Sequence, residues 1–278
     1  MTSDPTTILF ATDGTPASEN ARGAAAHLAR SSRAALHVVH VWAPKTTMSG
    51  GHEVDRGIAG GVASSEADVI AGQMSCPVAG VHTPEGSRAH GILTTASAIG
   101  AGLIVVGGRN LGVVEELFTY RVSEDVIHHS HRPVLLVRED GPHWPPRHVV
   151  VGVDGSPEAG EAARLAVWIA RTSDAELLLV AVVGDDGAAR DEAASRLDAA
   201  AEAFRAESGS PTIATRVVAN ADVAAALRGT CTLPGPQLLA IGARGSSALH
   251  QVPEFSVSRS VIHHTHLPLL LVPRAPGS

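Results

Sequence analysis

The sequence predicts an α/β protein of two tandem, doubly wound domains, each built on a five-stranded parallel sheet, and three observations carry that reading. Short apolar runs rich in Val, Ile and Leu alternate with longer alanine-rich segments of helical spacing, the order that gives parallel strands joined by helical crossovers. The alternation breaks once, at the proline-rich stretch EDGPHWPP between Arg138 and Arg147, and then restarts. The two copies also end almost alike: VIHHSHRPVLLV (Val126 to Val137) recurs as VIHHTHLPLLLV (Val261 to Val272). Asp13 and Asp154 stand 141 positions apart whereas Gly107 and Gly242 stand 135 apart, so the copies differ by six residues in their middles. The expected domains are 1–139 and 148–278, with 140–147 as linker.

In order, Ile8 to Thr12 reads as a buried strand closed by Asp13-Gly14-Thr15-Pro16, and Ala17 to Arg30 as a helix with Thr15 placed to cap it. Leu36 to Trp42 is a second strand, residues 43–61 a Gly, Thr and Pro loop, and Val62 to Met74 a helix. Pro77 to His82, Ser87 to Ile99, Leu103 to Val106, Val122 to His131 and Pro133 to Val137 continue as strand, helix, strand, helix, strand. The second copy opens with the strand His148 to Val153, the turn Asp154-Gly155-Ser156-Pro157 and the helix Glu158 to Arg171. Leu177 to Val183, Ala188 to Ala206, Thr212 to Val218, Ala221 to Leu227, Leu238 to Ile241, Val257 to Thr265 and Pro268 to Val272 complete it.

Composition narrows the function. Hydrophobic residues make up 44% of the chain but aromatics only 3%, so aliphatic side chains and alanine must fill the cores. No apolar run approaches membrane-spanning length and MTSDPTT lacks the regions of a signal peptide, so a cytoplasmic protein is expected. Cys76 and Cys231 lie in dissimilar contexts, which fits a reducing compartment. A net charge of −7 with no arginine cluster argues against nucleic-acid binding.

The stretch Leu238 to Ser258 carries the chemistry. An apolar run breaks into Gly242, Gly245 follows, and Phe255-Ser256-Val257-Ser258 opens a helix. Strand, glycine-bearing loop and helix N-terminus together make an anion site, since backbone N–H groups can approach a phosphate there and Ser256 can cap the helix or donate its hydroxyl. The same glycines also suit a tight strand-to-helix turn with no ligand. Lys45 is the lone lysine and no Gly-Lys pair exists, so a P-loop is excluded and a phosphate would rely on amides, hydroxyls and Arg.

These residues resemble the universal stress protein family in its tandem, actinobacterial form. The family pattern has a strand ending V-D-x-S and, after the fourth strand, G-x2-G-x9-G-(S/T). The second copy carries Val153-Asp154-Gly155-Ser156, Gly242, Gly245 and Phe255-Ser256; the first carries Thr12-Asp13-Gly14-Thr15, Gly107, Asn110 and Tyr120-Arg121. The resemblance implies a Rossmann-like fold of the adenine nucleotide alpha hydrolase type, with ATP, and Mg with it, as ligand. Adenine would lie against Asp154 and the backbone at Val182 in the second copy, and against Asp13 and Val41 in the first. Phosphates would lie on Gly242, Gly245, Ser256, Val257 and Ser258, with Gly107 and Ser123 the matching first-copy positions. Asp154 also reads as a plain turn or capping residue.

The copies depart from the pattern unequally. Phe255 replaces a glycine in the second; in the first Asn110, Tyr120 and Arg121 intrude, and Glu115 and Glu116 add negative charge to the loop. One ATP per chain is therefore expected, in the second half, weakened by Asp154→Ala and little affected by Asp13→Ala. His128, His129 and His131 recur as His263, His264 and His266, but without completing ligands they read as helix-end charges rather than a metal site. With no nucleophile elbow or assigned base, the expected function is an ATP-binding stress regulator with little or no catalysis. The alternative is a tandem interaction or scaffold module that has lost nucleotide binding. The short apolar fifth strands are expected to pair the copies as an intrachain pseudo-dimer, with a homodimer of the chain as a further step.

Overall fold

The computed structural model describes residues 4–43, 51–108, 117–207, 209–235, 237–243 and 256–274. The chain divides into two compact units, Met1–Trp144 and Pro145–Ser278. The first contains β1 (Thr7–Ala11), α1 (Glu19–Ser32), β2 (Ala35–Val39), α2 (Gly51–Gln73), β3 (Val78–His82), α3 (Arg88–Ala98), β4 (Leu103–Gly108), α4 (Leu117–His129) and β5 (Val134–Arg138). The second contains β6 (His148–Gly152), α5 (Pro157–Ser173), β7 (Glu176–Val183), α6 (Gly187–Arg205), β8 (Ile213–Ala219), α7 (Val223–Thr230), β9 (Gln237–Gly242), α8 (Ser256–His264) and β10 (Leu269–Val272).

Within the first unit the strands run β3-β2-β1-β4-β5, and within the second β8-β7-β6-β9-β10, every pair parallel. The central strands carry the expected apolar runs: Ile8, Leu9 and Phe10 on β1, and Val149, Val150 and Val151 on β6, are wholly buried. In each unit the chain leaves the central strand toward one neighbour and later returns on the other side. The carboxyl ends of β1 and β6 are therefore switch points, where open α/β sheets leave a crevice.

Small residues set how closely the first helix of each unit approaches its sheet. Ala21, Ala24, Ala25 and Ala29 of α1, and Ala159, Ala162, Ala163 and Ala166 of α5, are buried. Both helices end on a left-handed residue at matching places, Arg33 (φ 59) and Asp174 (φ 53), whose N–H groups return to Ala29 O and Ala170 O.

Three expectations are corrected. Residues 51–61, read as loop, are the first turns of α2. Ala59, Ala63 and Ile70 fall at helical spacing and bury fully, so packing overrides the low helix propensity of Gly57, Gly60 and Gly61. Thr15 does not cap α1: a 3-10 turn, Pro16–Ser18, intervenes, and the Thr15 hydroxyl donates to Asp13 instead. In α7, Asp222 takes the capping place by accepting from Ala225 N at 2.9 Å, so the helix starts two residues later than expected and runs on to Thr230.

Candidate functional site

A cleft continuous with solvent opens at the carboxyl ends of β1, β2 and β4 in the first unit. Asp13, Val41, Gly107 and Ser123, the first-copy positions singled out in the sequence, all line it. Asp13 closes an Asx-type turn: its Oδ1 accepts from Thr15 N at 3.0 Å and from Thr15 Oγ1 at 2.6 Å. Gly14, at φ 74, lets the chain reverse there, and its N–H donates to Thr12 Oγ1 at 3.0 Å.

Val41 follows β2 with its side chain buried. The amides of His40 and Trp42 donate outward to His82 O (3.0 Å) and Pro84 O (3.2 Å). Extended backbone alternates, so the N–H and C=O of Val41 turn the other way, over the end of β1. They offer one donor and one acceptor side by side at the cleft. His40 Nδ1 lies 2.9 Å from Thr12 O, and since a carbonyl only accepts, Nδ1 carries the hydrogen. Arg88, the exposed first residue of α3, supplies a cation to the same cleft.

In the second unit Asp154 repeats the turn, accepting from Ser156 N at 2.9 Å and Ser156 Oγ at 2.6 Å. Here the hydroxyl serves twice, for it also accepts from Ala159 N at 3.1 Å and caps α5. Val182 lies on β7, paired with Val218 and half-buried. Val153 N donates to Val180 O and Asn220 N to Val183 O. By the same alternation the backbone groups of Val182 turn toward the end of β6. Ser256 is the first residue of α8, with Val257 half-buried after it. Gly245 and Phe255, like Asn110, Glu115, Glu116 and Lys45, lie outside the described residues.

The glycines at the strand ends also answer a packing demand that the sequence does not display. A Cβ on Gly107 would sit 2.7 Å from Ala17 O, and one on Gly242 would sit 2.9 Å from Ala159 N. What forbids a side chain is the start of the first helix, pressed against the strand, and the resulting closeness shapes the crevice wall. The motif serines are engaged too: Ser123 Oγ donates to Gly107 O at 2.8 Å and Ser258 Oγ to Ala243 O at 2.9 Å. These bonds tie each last helix to its strand end, and a phosphate would have to compete for the hydroxyl hydrogens.

Sequence reasoning missed four groups. Thr12, Ser18, His40 and Arg88 line the first cleft, where the hydroxyls of Thr12 and Ser18 lie 3.1 Å apart. His40 adjoins Val41, and Arg88 opens a helix aimed at the crevice; those placements were the available signal. A separate pair, His37 on β2 and His82 on β3, brings Nδ1 and Nε2 to 3.0 Å with the rings nearly parallel. Burial pushes both pKa values below the ordinary imidazole range, and for His37 the neighbouring His82 adds to the effect. The repeated histidines at the helix ends bond locally, His129 Nδ1 to Asp125 O and His264 Nδ1 to Ser260 O. Among the described residues no three His, Cys, Asp or Glu side chains converge as a metal-holding group. No helix there is long and apolar enough to cross a membrane.

Fold and cleft define a class, a duplicated parallel α/β protein with a crevice at the switch point of its first copy. A model of the universal stress protein family matches residues 5–138 and again 146–273, and the chain belongs to that family. Universal stress proteins of Mycobacterium tuberculosis and Mycobacterium bovis are 34% identical over 87 residues, 31% of this chain. That match spans 27% of the length of those relatives. A universal stress protein of Archaeoglobus fulgidus superposes with a TM-score of 0.71 at 19% identity, covering 98% of this chain and 97% of its own. A putative universal stress protein from Pseudomonas aeruginosa gives 0.63 at 16%, covering 97% and 93%. At these identities the structural matches establish the fold.

Proposed function

We propose that this protein is a cytoplasmic ATP-binding stress regulator, in which nucleotide occupancy shifts a conformational or partner-binding equilibrium and catalysis is slow or absent. The observation that carries the reading is the first-unit cleft. It lies at the switch point of a doubly wound sheet and brings together Asp13, the inward-turned backbone of Val41, Gly107 and Ser123. One amide donor and one carbonyl acceptor, fixed in an extended backbone, match the acceptor and donor on the edge of adenine. Asp13, beside them at the mouth, would accept from ribose hydroxyls, while a phosphate would meet Arg88 and would have to draw the Ser123 hydroxyl away from Gly107 O.

The test is equilibrium titration of the full chain with ATP and Mg, together with mass spectrometry of nucleotide retained on purification. Binding at micromolar to low millimolar ATP without multiple turnovers supports the reading. No binding at millimolar ATP removes it in favour of an interaction module. Homodimerisation belongs to the same proposal and is read by light scattering with and without nucleotide.

A further inference from the structure

We infer that the first half takes the nucleotide and that Glu158 weakens its binding to the second. This rests on the nucleotide reading above, and it reverses the order of occupancy that the motif glycines and serine predict. The copies superimpose in sequence by the offsets already given, so each cleft residue has a counterpart. Ala17, whose methyl lines the first cleft, corresponds to Glu158. Glu158 is no solvated first-turn charge. Its side chain is 10% exposed, and its Cβ lies 3.0 Å from where a Cβ on Gly242 would stand. The close approach of α5 to β9 that Gly242 permits thus holds a carboxylate beside the strand end from which a phosphate loop would spring.

Its ion-pair partner is Arg274, whose side chain is largely exposed. Arg274 Nε stands 3.9 Å from Glu158 Oε1, at the limit of an ion pair. Arg196, on α6, comes beside Gly155, in the turn after β6, where the first half has Val62 against Gly14. An anionic ligand in the second half would meet a poorly hydrated carboxylate of like charge. The first half differs in the opposite sense: Arg88 and His40 line its cleft where the second copy has Val223 and Ala181. A guanidinium and an imidazole there favour a ligand that carries phosphate and offer it hydrogen-bond donors. Selectivity between the halves is then set by these side chains around the sheet end.

Calorimetric titration of the full chain with ATP and Mg, repeated with a fluorescent ATP analogue, tests this. The wild type binds one equivalent; Arg88→Ala weakens it at least tenfold, and Glu158→Ala adds a second equivalent. Moving the carboxylate with Ala17→Glu weakens the first site at least tenfold. Because Ala17 is buried, its melting temperature is recorded alongside, and Arg88→Ala, at an exposed side chain, decides the matter if that variant does not fold. Two equal sites in the wild type, or a single site lost with Asp154→Ala and kept with Arg88→Ala, overturn the inference while leaving nucleotide binding intact. Absence of binding in both the wild type and Glu158→Ala removes the nucleotide reading and this inference together.

Discussion

Thr15 and Ser156 occupy the same place in their copies yet do different amounts of stabilising. Each hydroxyl donates at 2.6 Å to the aspartate two residues earlier, but only Ser156 also accepts from the first turn of its helix. Ser156→Ala removes a cap as well as a charge-assisted bond and should cost about 1 to 2 kcal/mol, whereas Thr15→Ala should cost about half as much. Urea denaturation of the two variants measures the difference, and equal losses would mean that the Ala159 contact contributes nothing. The His37 and His82 pair gives a second expectation. Both folded-state pKa values lie below the unfolded value of 6.5, so the pair stabilises when neutral. That contribution is complete above about pH 6.5 and is lost as pH falls through the depressed values. Stability should fall more steeply between about pH 6.5 and 5 in the wild type than in His82→Gln. Parallel pH profiles of the two proteins would refute the coupling. Glu158 shows where residue-level reading stops. A glutamate in a first helical turn reads as a solvated complement to the helix dipole, and its burial depends on how closely Gly242 lets a strand approach, which no local pattern displays.

Among the elements, the strands were legible because each is a short aliphatic run, and the parallel order followed from their alternation with helices. The start of α2 was not. Glycines at 57, 60 and 61 signal a loop on propensity, while the stripe that decides the matter, Ala59, Ala63 and Ile70, is made largely of alanines too small to mark an amphipathic face. A Cβ at Gly61 would meet nothing within 4 Å, so Gly61→Ala should stabilise by roughly 0.5 to 1 kcal/mol. A lowered melting temperature would contradict that helix. The C-terminus of α1 offers a like gain. Arg33 holds a left-handed backbone with φ 59, which costs a residue bearing a Cβ about 1 kcal/mol. Arg33→Gly should raise the melting temperature by roughly 2 to 4 °C, and Asp174→Gly by less, since aspartate tolerates that region better. Equal shifts would show that the arginine makes no special demand there.

For the molecule as a whole, the duplication was legible from its matching tails, whereas Asp13, Val41, Gly107 and Ser123 were named from the family resemblance alone, and the crevice at the switch point gathers them from distant parts of the chain. The cations that complete the cleft were not legible, since Arg88 and His40 belong to no repeated pattern and gain meaning only from the crevice they border. The repeated tails bear on how the chain reaches its native state. Four aliphatic residues at corresponding places in β5 and β10 meet β4 and β9 in the same parallel sense, and each follows a helix that also ends in two histidines. To an incompletely folded unit, the tail of the other copy is a nearly equivalent last strand, tethered at high local concentration. Refolding from denaturant should therefore divide into a direct route and a slower one delayed by mispaired tails, with a partition independent of protein concentration. Diverging one tail, as in Leu270→Ile with Leu271→Val, should shrink the slow fraction in stopped-flow and interrupted-refolding experiments. An unchanged slow fraction would mean that the tails sort themselves correctly before either sheet is closed.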